Sequence, residues 1–261
     1  MRRLLAVGSC GVAVILGGLW MPTHPAAGSI SPRPIATGAS SARSEVAPDT
    51  TSNDRSAAAT RNAITGPVTR RYILRMVSGI PQSGERLGNP NAPVTMTWFG
   101  DVECPLCTTF AFQSGFPELV ARDVRFGRVQ VIYRGFQTAT PSSRLFETQS
   151  IAALAAGEQS RYWQFVLLFL DEQQTEGTNY VTEGFLDSLA KQIPGLALAR
   201  WKQARRSGEL AEQVRVDERL GEHEGVLGTP TLIVKGPDGT ARSTDPIASY
   251  RELEKAIRSV E

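Results

Sequence analysis

Only three cysteines and two histidines occur among 261 residues, and that scarcity limits the chemistry available. A closed zinc site needs four ligands. Beyond the pair Cys104 and Cys107, the only other soft donor outside the N-terminal region is His223, in "GEHEG". No closed intramolecular metal site can be assembled, no cofactor is implied, and His223, flanked by Glu222 and Glu224, reads as a solvated loop residue. Excess charge is missing as well: 28 basic against 26 acidic side chains leave a net +2. The basic residues are scattered among acids rather than gathered into a stripe, which argues against a nucleic-acid partner. No internal repeat is visible. What remains is an ordinary globular balance, 41% hydrophobic and 21% charged, sufficient for a proper core without metal or disulfide support.

A long apolar run occurs at the very start, where Arg2 and Arg3 precede uncharged residues from Leu4 to Met21. This pattern reads as an export segment over residues 1–22, with a length between a signal-peptide core and the shortest membrane-spanning helix. Small residues at Ala26–Ser29 suit cleavage, whereas the two arginines favour retention as an anchor. Either outcome places the rest of the chain outside the cytoplasm, membrane-anchored or secreted, with membrane contact through this segment. Cys10 lies inside the run and reads as a small apolar residue rather than a lipidation site. Residues 23–66, rich in Ser, Ala, Thr and Pro, cannot bury enough surface to fold and read as a flexible tether.

The folded part is expected over 67–261. "RRYILRMV" at Arg70–Val77 alternates and reads as a short strand, followed by a punctuated loop to Pro93. Val94–Asp101 is β-branched and aromatic, a strand that runs into "VECPLC". Beyond it, Phe110, Phe112, Phe116, Leu119 and Val120 keep helical spacing, with a break expected at Pro117. Arg128–Phe136 alternates as another strand, giving the crossover unit of a parallel sheet. From about 142 to 224 the period is helical, reading as four helices or so, with Thr182 as an N-cap. Trp163, Phe165, Phe169 and Trp201 read as core within them. Thr231–Lys235, a turn at Gly236–Gly239 and a partner strand form a hairpin. A final helix turns Tyr250, Leu253, Ile257 and Val260 inward. The fold class is therefore α/β, with βαβ and ββα halves around a central sheet and a helical insertion.

Cys104 and Cys107 stand three apart, with Pro105 and Leu106 between them. A structural disulfide there would close a tiny loop and stabilise little. A reactive pair has a mechanism. At the start of a helix, unpaired N–H groups and the dipole favour a thiolate on Cys104. Pro105 suits the first helical turn, and Cys107, one turn on, can resolve a mixed disulfide on Cys104.

The order strand, Cys-Pro-Leu-Cys, strand, helical insertion, then Thr229-Pro230 leading into a hairpin and a final helix resembles the DsbA-type branch of the thioredoxin superfamily, over roughly Arg70 to Glu261. The resemblance implies that Pro230 is cis. It also implies that the Thr229-Pro230 loop sits against the cysteine pair, the backbone beside it pairing with the substrate chain. Two features depart from the most oxidising members. Leu106 stands where those carry histidine, and Glu103 beside Cys104 is expected to raise the thiol pKa. Asp101 reads as an exposed acid near a helix start, or as a proton relay if it is buried.

The expected function is extracytoplasmic thiol–disulfide exchange with cysteines of exported proteins, in the direction of disulfide donation, with a membrane redox partner that resets the pair. The alternatives are a reductase or isomerase using the same chemistry, and a redox-inactive binding module with the same fold.

Overall fold

The computed structural model describes residues 68–245 and 247–261. The expected export segment at 1–22, Cys10 within it and the expected tether at 23–66 lie outside the described residues. The described residues begin with helix α1 (Arg70–Met76), capped by the Thr69 hydroxyl, which accepts from the Tyr72 N–H. This corrects the strand expected at Arg70–Val77. Tyr72, Leu74 and Met76 do alternate, but Ile73, Met76 and Val77 also share a helical face, and that is the face the protein buries. The following loop forms a hairpin of two-residue strands, β1 (Gln82–Ser83) and β2 (Arg86–Leu87), turned at Gly84 with φ +54°. Its brevity hid it in the sequence.

The central strands are β3 (Val94–Gly100), β4 (Val129–Gly135), β5 (Thr231–Gly236) and β6 (Gly239–Ser243). The six strands run in the order β1-β2-β4-β3-β5-β6. β3 and β4 are parallel, while β5 lies antiparallel to both β3 and β6. Between β3 and β4 run α2 (Pro105–Gln113), α3 (Phe116–Leu119) and a π-helical turn at Val120–Val124. The break between α2 and α3 falls at Gly115, with Pro117 in the first turn of α3. A side chain at Gly115 would sit 2.5 Å from the Tyr250 amide nitrogen, so only glycine lets the start of the last helix pass this close.

The helical insertion comprises α4 (Ser143–Gly157), α5 (Tyr162–Asp171), α6 (Glu183–Lys191), α7 (Leu198–Ala204) and α8 (Gly208–His223). The last predicted stretch splits in two because Ser207 caps a new helix through the Glu209 N–H. Thr182 caps α6 by accepting from the Phe185 N–H. α5 is buried from Tyr162 through Leu170, as a helix apolar on every face must be. The chain closes with α9 (Tyr250–Arg258), which carries a reciprocal cap between Ser249 and Glu252. Leu253, Ile257 and Val260 are buried beneath it.

One core joins both parts. Trp98 of β3 meets Phe110, Phe116 and Tyr133 edge-on at ring-centre distances of 4.8, 5.1 and 5.1 Å, while Phe116 stacks on Trp163 of α5 at 5.7 Å. Such pairs each add about 0.5–1.5 kcal/mol beyond area burial. Trp163, Phe165, Phe169 and Trp201 are all core residues. Among the described residues, no helix is long and apolar enough to cross a membrane.

Candidate active site

β3 delivers the chain to Asp101, a turn covers Val102 and Glu103, and α2 starts with Cys104 as its N-cap and Pro105 in its first turn. Proline fits there because its missing N–H is one that the helix would leave unpaired. From the other half of the fold, the cis peptide Thr229-Pro230 just ahead of β5 brings Thr229 against the motif. The Cys104 thiol lies 3.3 Å from the Thr229 carbonyl oxygen. The four residues Cys104, Cys107, Thr229 and Pro230 thus converge near the carboxyl end of β3.

The two thiols differ in environment. Cys107 is fully buried, while Cys104 keeps 6% of its surface open. The Cys104 thiol is pulled down to about 6. The Cys107 thiol, hydrogen-bonding to its sulfur, is the largest cause, followed among the lowering effects by Thr229 and by the backbone N–H groups of Cys107 and Leu106. Burial pushes the Cys107 thiol well above the ordinary range, and the neighbouring Cys104 sulfur pushes it further. One sulfur is therefore a ready thiolate at neutral pH, and the other holds its proton.

Glu103 is not among the largest influences on the Cys104 thiol, although its position in sequence suggested that it would raise it. Its carboxyl is buried, at 2% exposure, and is itself pushed up to about 7 by burial and then by Asp101. With a value of about 7 the carboxyl is half ionised at neutrality and mostly protonated at pH 6, where Cys104 titrates, so it opposes that thiolate only weakly.

Asp101 is fully buried rather than exposed. Its two oxygens accept from the backbone N–H groups of Glu103, Thr138, Ala139 and Thr140, and from the Thr140 hydroxyl. The carboxylate is committed to pinning the loop after β4 onto the motif. What Asp101 offers Cys107 is its backbone N–H, which favours a thiolate there. The same loop sets Thr138 against the Thr229 hydroxyl.

Sequence reasoning missed three contributors. Gln149 donates to the Thr140 hydroxyl at 2.7 Å, Gln173 donates to the carbonyls of Val102 and Cys104, and the Thr108 hydroxyl donates to the Leu170 carbonyl at 3.0 Å. Gln173 and Thr108 tie the insertion to the motif and its helix across 62 to 71 residues, Gln149 steadies the loop that Asp101 holds, and spacing gives no signal for such contacts. Outside the sulfurs, Leu106 is half exposed and Leu227 almost fully so. Both line an open cleft of about 560 Å³ beside Thr229 and Pro230. His223 is exposed and is the last residue of α8 rather than a loop residue.

A family model described as thioredoxin matches residues 82–257. Among curated proteins, disulfide bond formation protein D of Bacillus subtilis (strain 168) is 30% identical over 181 residues, covering 66% of this chain and 74% of that protein. Probable disulfide bond formation protein D of Bacillus anthracis is 28% identical over 153 residues, covering 58% and 70%. Oxidised BdbD from Bacillus subtilis superposes with a TM-score of 0.58 at 24% identity, over 70% of this chain and 96% of that chain. DsbA from Chlamydia trachomatis superposes with a TM-score of 0.56 at 22% identity, over 74% and 93%. At these identities the structural likeness establishes the fold.

Proposed function

This chain belongs to the thioredoxin family and is a DsbA-like thiol–disulfide oxidoreductase; from that premise we propose that Cys104 and Cys107 are its redox pair and that it donates disulfides to cysteines of exported proteins. The observation that carries the direction is the opposite displacement of the two thiols, Cys104 down to about 6 and Cys107 upward. A stabilised thiolate favours the dithiol over the disulfide, so the oxidised pair readily accepts electrons.

The exchange runs through the accessible sulfur. A client thiolate attacks Cys104 of the Cys104–Cys107 disulfide, a client–Cys104 bond forms, and Cys107 departs and takes up a proton. A second client thiolate then attacks the client sulfur of that mixed disulfide, closing the client disulfide and expelling the Cys104 thiolate, whose low pKa makes it a good leaving group. Two electrons pass to the pair; of the client's two protons one ends on Cys107 and one in solvent. Thr229 and Pro230 hold the client backbone beside Cys104, with Leu106 and Leu227 giving its side chains an apolar rest. A membrane redox partner removes the two electrons afterwards. Export through residues 1–22 places the reaction outside the cytoplasm, where disulfides persist.

Equilibrating the full chain against a glutathione series tests the direction. A potential well above thioredoxin's, about −270 mV, supports donation; a value at or below it makes the protein a reductant instead. A Cys104→Ser variant that folds yet exchanges no disulfide assigns the chemistry to that sulfur.

A further inference from the structure

Four arginines meet in a cleft at the far end of α5 from the cysteine pair. The cleft, about 490 Å³, is lined by Arg70, Arg71 and Arg75 of α1, by Arg161 just ahead of α5 and by Gln164 within it, and no acidic residue lines it. Elsewhere on the surface, Arg122, Arg128, Arg205, Arg215, Arg219 and Arg258 each face a carboxylate. Arg70, Arg71 and Arg75 are exposed and make no ion pair among the described residues. Arg161 is fixed in the wall by donating to the carbonyls of Pro194 and Ser160 at 3.0 and 2.9 Å. The fold adds Arg161 to three arginines already close together in sequence.

A second feature points to a ligand. Gln164 is nine-tenths buried, and its side-chain oxygen has no hydrogen-bond partner. A buried acceptor left unpaired costs free energy; the oxygen is closed to solvent as it stands, and a turn of the side chain toward the cleft would let an N–H or O–H from a bound molecule relieve it. The site therefore suits an anion that also carries a donor. Arginine forks match phosphate geometry, and a phosphodiester bearing hydroxyl groups meets both demands.

The position of the cleft says where such a group would come from. α1 is the first element after residues 1–66, whose start reads as membrane-directed. α5 spans about 15 Å from the cleft at its first turn to Leu170, whose carbonyl accepts from Thr108 of the cysteine helix. We propose that the arginine cleft docks the hydroxyl-bearing phosphodiester headgroup of an anionic lipid, seating α1 on the membrane surface with Cys104 turned toward the aqueous side. This rests on reading residues 1–22 as a membrane segment.

The test is hydrogen–deuterium exchange of the full chain in nanodiscs of phosphatidylcholine, with and without phosphatidylglycerol. Slower exchange at residues 70–82 and 160–164 with phosphatidylglycerol only, lost in the Arg70→Gln, Arg71→Gln, Arg75→Gln triple variant and weakened by salt, is the expected result. No protection, or protection that survives the triple substitution, overturns the proposal. Equal protection by inorganic phosphate in neutral nanodiscs also overturns it, since the site would then take the free ion. If the full chain does not enter neutral nanodiscs, the membrane-segment reading fails by itself. Co-sedimentation with phosphatidylglycerol vesicles then decides the cleft: binding lost in the variant supports it, and no binding overturns it.

Discussion

The thiol sulfur of Cys104 lies 3.3 Å from the carbonyl oxygen of Thr229, across 125 residues of chain. The first residue begins the cysteine helix and the second closes the approach to β5, so the site exists only when both halves of the fold are assembled. The Thr229 side chain also helps to lower the Cys104 thiol. Replacing Thr229 by Val removes the hydroxyl and keeps the shape. The pH midpoint of Cys104 alkylation should then move up from about 6, and an unmoved midpoint would detach that hydroxyl from the thiolate.

Cys107 is the largest single support of the Cys104 thiolate. Cys107→Ala removes that donor, so the alkylation midpoint should rise, toward the ordinary thiol value of 9. Stability follows with a definite sign. The folded pKa of Cys104 lies below its ordinary value, so its contribution to the reduced protein is fully present above pH 9 and is lost as pH falls through about 6. Cys107 is displaced upward and adds no slope in that window. The reduced chain should therefore lose about 2 kcal/mol relative to the disulfide form between pH 9 and 6, after allowance for solvent screening. Urea midpoints of the two forms at each pH measure it.

Much of this arrangement could be read before any coordinates, and the failures have physical causes. Strand β3, the hairpin of β5 and β6, and α9 announce themselves through β-branched and aromatic composition, a glycine turn and apolar residues at helical spacing. The cysteine pair is legible because its chemistry is local: two thiols, a proline and a helix start lie within four residues. Asp101 is not, because its burial depends on donors 37 to 39 residues downstream, and spacing carries no record of that loop. α1 fails for another reason. Over seven residues a period of two and a period of 3.6 overlap, and packing against α5 decides between them.

Asp101 accepts five hydrogen bonds, every one from a donor fixed by the fold. Asp101→Asn turns an oxygen into an N–H₂ group facing other donors. The loop at Thr138–Thr140 should loosen, and the protein should lose about 3 kcal/mol, the scale of a broken buried charged network. Urea unfolding of the variant checks this, and a loss under about 0.5 kcal/mol, typical of a neutral surface site, would show that the carboxylate does not hold the loop.

Glu103 gives the opposite result. Neither of its oxygens makes a well-formed hydrogen bond, although Thr140 and Gln149 lie close enough to favour the charged form slightly. Burial wins, and the carboxyl is raised from 4.5 to about 7. A folded pKa above the unfolded one means that its contribution to stability is intact below pH 4.5 and is lost as pH rises through about 7. Glu103→Gln cannot ionise and escapes that loss. The variant should match the parent near pH 4 and exceed it at pH 8 by on the order of 1 kcal/mol, while the Cys104 alkylation midpoint stays near 6, because the Glu103 carboxyl is mostly protonated at that pH. Thermal unfolding at the two pH values measures the first effect. A variant less stable than the parent at pH 8 would mean that the charged carboxylate is held by partners, not merely buried.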